Sequence, residues 1–273
     1  MKRILSAIVL IPAALLIVIY APDWVYCIAV GALGSLCLYE YCGLVRNMGI
    51  KIRTWFVIPI FWILLAAFSA MTHVPDRSPV TVAALMAALL AVFLAAIWNT
   101  SLSLRERALS LMAETLGVFY FAFFLYTVIA VRLKFGNKDG ICWTILLLAV
   151  IWANDTVALA VGRKFGRTRF APLLSPKKTN EGAAGGLIAG AVVAVILKHF
   201  LFTNLPVVHI IAISALAGVF GQLGDLAESL LKRAAEVKDS SQLIPGHGGA
   251  LDRMDSLLFA FPVLYIYLVF LYR

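Results

Sequence analysis

Charged residues are scarce in this sequence of 273 residues. Asp, Glu, Lys and Arg together make up only 14% of it, whereas soluble domains average about 25%. Apolar residues, counting Cys and Tyr among them, make up 63%, and the mean hydropathy is +0.96. So few charges cannot cover the surface of a soluble domain of this length. The composition therefore excludes soluble, disordered and coiled-coil classes and predicts a polytopic membrane protein.

Cysteines with metal-ligand or redox spacing are also missing. The four that occur are Cys27, Cys37, Cys42 and Cys142, and no two of them form a CxxC pair. A disulfide scaffold and a cysteine-built metal site are therefore excluded. We interpret these residues as apolar filling within helices.

Long apolar segments account for most of the chain. A membrane-spanning helix needs about 20 mostly apolar residues, and nine segments meet that need. We predict an all-α, polytopic integral membrane protein with N-terminal membrane helices over 1–140 and a C-terminal catalytic membrane region over 141–273. The predicted spans are 4–20, 24–43, 54–72, 80–98, 108–131, 140–162, 183–201, 206–231 and 255–272.

The basic residues indicate how these spans are oriented. With nine spans, 17 of the 23 Lys and Arg residues fall on the side of the N-terminus. The positive-inside rule places that side in the cytoplasm, together with the two long polar loops 163–182 and 232–254. We therefore expect an integral membrane protein of a bacterial inner membrane. We ascribe its net charge of +9 to contact with membrane lipids, not to binding of nucleic acid.

Glycines recur at helical spacing in two of the predicted spans. Gly218, Gly221 and Gly224 follow one another at i+3, and Gly186 and Gly190 form a GxxxG pair. Small residues at this spacing let helix backbones approach closely in membranes. We therefore predict tight helix packing at both places.

The acidic residues are few, and several lie inside or beside spans. Asp225 and Glu228 lie within the eighth segment, and Asp252 and Asp255 begin the ninth. An ionisable residue inside a span is a candidate functional residue. Clustered carboxylates repel one another unless a cation lies between them, and oxygen ligands suit Mg²⁺. The alternative is that these acids form ion pairs with their basic neighbours Lys232, Arg233 and Arg253.

The loop between these two spans has the composition of a phosphate site. Backbone N–H groups of glycines, together with cations and hydroxyls, commonly bind phosphate in proteins. The loop from 232 to 254 combines all three, and we predict that it binds substrate phosphates. Its candidate ligands are Lys232, Arg233, Lys238, Asp239, Ser240, His247, Gly248 and Gly249, with Ser229 just before them.

The 163–182 loop forms a second basic patch. Its first half resembles an anchor on anionic lipid, whereas its second half places cations, hydroxyls and an acid directly before a span. We predict substrate binding by Ser175, Lys177, Lys178, Thr179 and Glu181. Three acids in other spans have no assigned site role: we expect Asp155 to pair with a basic group, and Glu40 and Glu114 to make structural polar contacts.

The polar residues together resemble the phosphatidate cytidylyltransferase family, also called CDP-diacylglycerol synthases. Similar stretches occur at Trp152–Asp155, Gly162–Gly166, Ser175–Gly182 and Gly221–Ser229. The longest match is Ser229-x2-Lys232-Arg233-x4-Lys238-Asp239-Ser240-x4-Pro245-Gly246-His247-Gly248-Gly249-x2-Asp252-Arg253-x-Asp255-Ser256.

This resemblance implies a reaction in which CTP and phosphatidic acid give CDP-diacylglycerol and pyrophosphate. It implies Mg²⁺, a second cation such as K⁺, and a homodimer. By position, the family's metal-binding acids fall on Asp225 and Asp252, with Asp255 close by. Lys232, Arg233 and Arg253 would then offset phosphate charge.

The sequence is also compatible with other functions. Another CTP-dependent lipid enzyme, such as a CDP-archaeol synthase or a polyprenol kinase, also combines CTP with a membrane lipid. A cation-coupled transporter also places acids in spans, although it is expected to place them on broken helices near the midplane. The Asp-Gly-x2-Ala-Arg run expected of a CDP-alcohol phosphotransferase is absent.

Overall fold

The apolar segments form helices whose ends lie close to the predicted span boundaries. A computed structural model describes residues 2–73, 78–135, 137–202, 204–243 and 248–271, and these contain nine helices and one short hairpin. The elements are α1 (Lys2–Tyr20), α2 (Asp23–Asn47), α3 (Thr54–His73), α4 (Ser78–Ile97), α5 (Leu104–Lys134), α6 (Asn137–Phe165), β1 (Arg169–Ala171), β2 (Ser175–Thr179), α7 (Asn180–Leu201), α8 (Val207–Ala234) and α9 (Leu251–Phe270).

Seven of these helices, α2 and α4 to α9, are long and apolar enough to cross a membrane. In α1 and α3 the described apolar stretches, Ile11–Tyr20 and Thr54–Ala70, are shorter. The predicted all-α polytopic membrane fold is therefore confirmed for the described residues, with the number of spans at seven to nine. Prolines lie inside α1, α3 and α9, which membrane helices tolerate more readily than soluble ones.

The helices belong to two compact units. One contains residues 1–130 and 231–252, and the other contains 131–230 and 253–273. This division differs from the sequential one that we predict at residue 140, because the segment 231–252 packs with the N-terminal helices.

The first unit has a core of closely packed aromatic and aliphatic side chains from α2, α3 and α5. Phe61 and Phe121 are fully buried, and the ring of Tyr41 lies edge-on to Phe121 at 5.8 Å. All four cysteines are free, and Cys37, Cys42 and Cys142 are buried. The interpretation of the cysteines as apolar filling is therefore confirmed for these three, whereas Cys27 is half-buried.

A buried ion pair completes this unit. Glu114 on α5 is fully buried and accepts hydrogen bonds from the backbone and guanidinium of Arg53, the shortest at 2.6 Å. The hydrogen bond to Glu114 raises the pKa of the Arg53 guanidinium above its ordinary value. The predicted role of Glu114 as a structural polar contact is confirmed.

Close helix packing dominates the second unit. A Cβ atom at Gly218 would lie 2.6 Å from Leu187 of α7, and one at Gly221 would lie 2.8 Å from Ile151 of α6. At Gly186 it would collide with Asn154 of α6. The prediction of tight packing at the glycine runs is confirmed, because the missing Cβ atoms let these neighbours approach closely.

Candidate active site

The predicted site residues divide between the two units. Those of the first unit lie in the segment 231–252, and those of the second lie on α8, on α9 and in the 163–182 loop. His247 lies outside the described residues.

In the first unit, Asp252 is the centre of the polar contacts. It lies in the first turn of α9, where the helix dipole favours a negative charge. Its Oδ2 atom accepts hydrogen bonds from the backbone N–H of Ser240 at 2.9 Å and of Gly249 at 2.8 Å. The hydroxyl of Ser240 lies 2.8 Å from the same oxygen. The carboxylate thereby ties the loop to the start of the helix.

The second oxygen of Asp252 forms an ion pair with Lys232. The Nζ–Oδ1 distance is 2.6 Å, and the two side chains are only 11% and 7% exposed. The sequence left open that these acids form ion pairs with basic neighbours. The structure shows such a pair for Asp252. A pair with so little exposure is sensitive to the loss of either partner, because an unpaired buried charge is costly.

Glycine is required at two positions beside this carboxylate. Gly248 has a φ of +79°, a conformation that other residues adopt rarely, and a Cβ atom there would lie 2.6 Å from Asp252. At Gly249 a Cβ atom would collide with the Ser240 hydroxyl and with the carboxylate of Glu40. The Gly-Gly pair therefore makes room for the carboxylates, whether or not it also binds phosphate.

Glu40 of α2 is the residue that sequence reasoning underestimated. It is only 2% exposed, and its carboxylate faces the hydroxyls of Ser240 and Ser241 and the backbone N–H groups of Ala250 and Leu251 at 2.6–2.9 Å. We expect from the sequence only a structural polar contact here. The available signal was a carboxylate within an apolar span, which marks a candidate functional residue.

The other basic and acidic residues of this segment lie at its surface. Arg233, Lys238 and Asp239 are exposed, and Arg233 donates a long hydrogen bond, 3.4 Å, to the carbonyl of Val237. Exposed cations reach solvent, where a polyanionic ligand can meet them. This placement suits their predicted role in binding phosphate.

In the second unit, Asp225 forms an ion pair with Lys178. Their charged atoms lie 2.6 Å apart, and the side chains are 31% and 26% exposed. The hydroxyl of Ser229, one helical turn later on α8, lies 3.4 Å from the other oxygen of Asp225. The structure thus brings Lys178 to two predicted site residues, Asp225 and Ser229, that lie far from it in the sequence.

Asp155 belongs to the same group, although we assign it no site role from the sequence. Its side chain hydrogen-bonds Ser256, and its charged neighbours are Asp225, Lys178 and Arg253. Lys178 is paired with Asp225, and the expected pairing of Asp155 with a basic group stays a prediction. Asp155 is a second carboxylate that acts electrostatically on Asp225. The residues of this group come from α6, β2, α8 and α9.

A buried amide network holds these helices in register. The side-chain amide of Gln222 donates to Asn154 and to the carbonyl of Ala183, both at 3.0 Å. Asn154 in turn donates to the carbonyl of Gly218 at 3.2 Å. Because Asn154 precedes Asp155, and Gln222 lies one turn before Asp225, the network fixes the backbone beside both acids.

The 163–182 loop contains a hairpin that the sequence did not suggest. Strands β1 and β2 are antiparallel, with Arg169 opposite Thr179 and Ala171 opposite Ser175. Lys177 lies exposed on β2, next to the paired Lys178. The hairpin thus presents one cation to solvent and directs the other to Asp225.

Two predicted ligands of this loop have local structural partners. Thr179 is the N-cap of α7 and accepts a hydrogen bond from the N–H of Gly182 at 3.1 Å. Glu181 accepts hydrogen bonds from the backbone N–H groups of Arg167 and Thr168 at 3.0–3.3 Å. These bonds close the loop around the hairpin, and substrate binding by either residue stays a prediction.

The donors that the sequence predicts for a metal ion are carboxylate oxygens. Asp155 and Asp225 act on each other electrostatically, and the ammonium group of Lys178 pairs with Asp225. Oxygen donors of this kind suit a hard divalent ion. Among the described residues, no group of three or more acidic, histidine or cysteine side chains is gathered as a metal site. Asp225, Asp252 and Asp255 as metal ligands therefore stay a prediction.

Comparison with known proteins gives a consistent result. A family model described as the cytidylyltransferase family matches residues 1–271. The chain is 31% identical to the phosphatidate cytidylyltransferase of Bacillus subtilis (strain 168) over 268 residues, which cover 98% of this chain and 97% of that protein. It is also 41% identical over 133 residues to the enzymes of the same name from Staphylococcus haemolyticus and Staphylococcus saprophyticus. These two alignments cover 49% of this chain and 51% of each relative.

Proposed function

Because the chain belongs to the cytidylyltransferase family, we propose that it transfers a cytidylyl group from CTP to phosphatidic acid. A phosphate oxygen of phosphatidic acid attacks the α-phosphorus of CTP and forms a new P–O bond. The bond from the α-phosphorus to the bridging oxygen of the β-phosphate breaks, and pyrophosphate leaves with the electron pair. The lipid product is CDP-diacylglycerol, an intermediate of phospholipid biosynthesis.

A single observation carries this proposal. The alignment with the B. subtilis phosphatidate cytidylyltransferase extends over nearly the whole of both chains. It therefore includes the membrane helices as well as both polar loops. A relative that shared only a nucleotide-binding loop would not align in this way.

Electrostatics determines what the protein must supply to this reaction. Phosphate monoesters have a second pKa near 6, so the attacking phosphate is largely dianionic at pH 7 without a general base. The barrier lies in bringing two polyanions together, and positioning with charge neutralisation lowers it. A site that is rich in cations and has no Ser–His nucleophile suits this chemistry.

The exposed cations are the groups that we assign to substrate phosphates. Arg233 and Lys238 in the first unit, and Lys177 and Arg253 in the second, reach solvent. Lys232 and Lys178 are held by Asp252 and Asp225 instead. These paired lysines bind phosphate through the hydrogens that the carboxylates leave available, since an ammonium group has three donors.

Asp225, Asp252 and Asp255 are the residues that we assign to Mg²⁺. When bound, the ion neutralises charge on the CTP phosphates and on the leaving pyrophosphate. The carboxylates would hold the ion, and the neighbouring lysines orient the carboxylates through their ion pairs. A second cation such as K⁺ and a homodimer are parts of the same proposal, supported by the resemblance of the sequence motifs.

The chain is an integral membrane protein, and we place its site on the cytoplasmic side of a bacterial inner membrane. The support is the excess of Lys and Arg in the two polar loops, which the positive-inside rule assigns to the cytoplasm. CTP is a soluble nucleotide, so a site at that surface receives it directly, whereas phosphatidic acid enters from the bilayer.

The test is an assay of purified protein in detergent with phosphatidic acid, CTP and Mg²⁺. We expect CDP-diacylglycerol and pyrophosphate in equal amounts, and the loss of both with EDTA. A folded protein that forms neither product contradicts the proposal. Archaeol phosphate and polyprenol, offered in parallel, test the two rival lipid enzymes, and cation uptake into proteoliposomes without pyrophosphate release would indicate a transporter.

A further inference from the structure

We propose that Glu40 is a positioning residue for this reaction. From α2, outside the loop, its carboxylate fixes both ends of the segment that carries Ser240, Gly249 and Asp252. The inference rests on the proposed function, since it concerns the geometry of that site. It extends the function to a residue that lies 200 positions before Ser240.

The arrangement of donors around Glu40 supports this role. The Oε1 atom accepts from the hydroxyl of Ser241 at 2.6 Å and from the N–H of Ala250 at 2.9 Å. The Oε2 atom faces the hydroxyl of Ser240 at 2.9 Å and accepts from the N–H of Leu251 at 2.8 Å. Each oxygen therefore joins one hydroxyl from the start of the loop to one backbone amide from its end.

Ser240 links this carboxylate to that of Asp252. Its hydroxyl lies 2.9 Å from Glu40 and 2.8 Å from Asp252, and its single proton can be donated to either. Its backbone N–H donates to Asp252 as well. A displacement of Glu40 therefore moves a residue that holds Asp252 by two separate groups.

Burial explains why these contacts hold the loop firmly. Glu40 is only 2% exposed, and a buried carboxylate is stable only when hydrogen bonds replace its water. Its four donors come from the loop and from the start of α9. Loss of these contacts would leave the carboxylate without the hydrogen bonds that replace its water.

The experiment replaces Glu40 by glutamine. The amide has the same shape, but its NH₂ group cannot accept, so either orientation sets it against the N–H of Ala250 or of Leu251. We expect kcat to fall about 100-fold, the loss typical of a small misplacement in a site. We also expect faster amide hydrogen exchange in 238–243 and 248–251, measured without substrates.

Glu114→Gln is the matched control. It is the same substitution at a fully buried carboxylate of the same unit, but its hydrogen bonds go to Arg53. We expect this variant to lose thermal stability, while kcat per folded molecule and exchange of the loop stay at wild-type values. The control thus separates general destabilisation from positioning.

The outcomes distinguish this inference from the proposed function. If the wild-type protein makes no CDP-diacylglycerol, the proposed function fails. If the wild type is active and Glu40→Gln matches it in kcat, KM and loop exchange, the positioning role is wrong. It is also wrong if Glu40→Gln loses activity only in proportion to its unfolded fraction.

A milder variant covers the case in which Glu40→Gln does not fold. Ser241→Ala removes one of the four donors and leaves the carboxylate in place. We expect a fall in kcat of about tenfold, since one hydrogen bond to a charged group is lost, with faster exchange near residue 241. Wild-type values for both would overturn the proposal.

Discussion

Replacing Asp252 by asparagine tests how the buried pair with Lys232 contributes to stability and to activity. The substitution keeps the size of the side chain but removes its charge, and it leaves the Lys232 ammonium, whose side chain is 11% exposed, without its counter-charge. Breaking a buried ion pair from one side costs about 3–5 kcal/mol. We expect a loss of that size in the free energy of unfolding.

The double variant Lys232→Met with Asp252→Asn separates the two contributions. With neither charge present, the penalty for an unpaired buried charge disappears, and we expect a recovery of about 1–3 kcal/mol relative to the sum of the single variants. Activity should not recover, because the carboxylate that we assign to Mg²⁺ is still absent. Unfolding in SDS–detergent mixtures and the rate of CDP-diacylglycerol formation per folded molecule measure the two quantities.

The corresponding cycle on Arg53 and Glu114 is the control. That pair is also buried, with side chains 20% and 0% exposed, but we assign it no part in the reaction. We expect the same pattern of stability loss and recovery without a loss of specific activity. If the Lys232/Asp252 double variant instead regains activity together with stability, the pair is structural and our assignment of Asp252 is refuted.

Three further variants test the site. Gly249→Ala should reduce activity strongly, since its Cβ atom collides with Ser240 and Glu40; a wild-type rate would show that the loop is not held as described. Asp225→Ala should abolish CDP-diacylglycerol formation while membrane insertion, followed by fractionation, is unchanged, and residual activity near the wild-type level would contradict its assignment to Mg²⁺. Lys178→Met should raise the KM for a substrate or the Mg²⁺ concentration needed for half-maximal rate, and identical kinetics would limit Lys178 to a structural pair.

Local information in the sequence was sufficient for the helices and for the polar loops. Apolar runs of about 20 residues predict spans wherever they occur, and each of the nine predicted spans matches a helix in the structure. The glycine runs predicted close packing for the same reason, because their spacing along one helix is visible in the chain itself. The short hairpin between Arg169 and Thr179 was missed, since strands of three and five residues are too short for a periodic pattern.

Local sequence information could not identify the ion-pair partners of the acidic residues. The sequence placed Asp225 and Asp252 near several cations at once, and it left metal binding and ion pairing open for both. The structure selects Lys178 for Asp225 and Lys232 for Asp252. Lys178 comes from another loop, so its proximity depends on how α7 and α8 pack.

The sequence by itself determined the membrane class, the order of the helices, the family resemblance and most of the candidate residues. These depend on composition, on helical periodicity and on a motif that is contiguous in the chain. Only the tertiary structure decided that Glu40 faces Leu251, 211 positions away, and that Asp155 lies near Asp225. Contacts of that kind arise when apolar faces pack and bring distant helices together, and a buried carboxylate then takes whichever donors the packing places beside it.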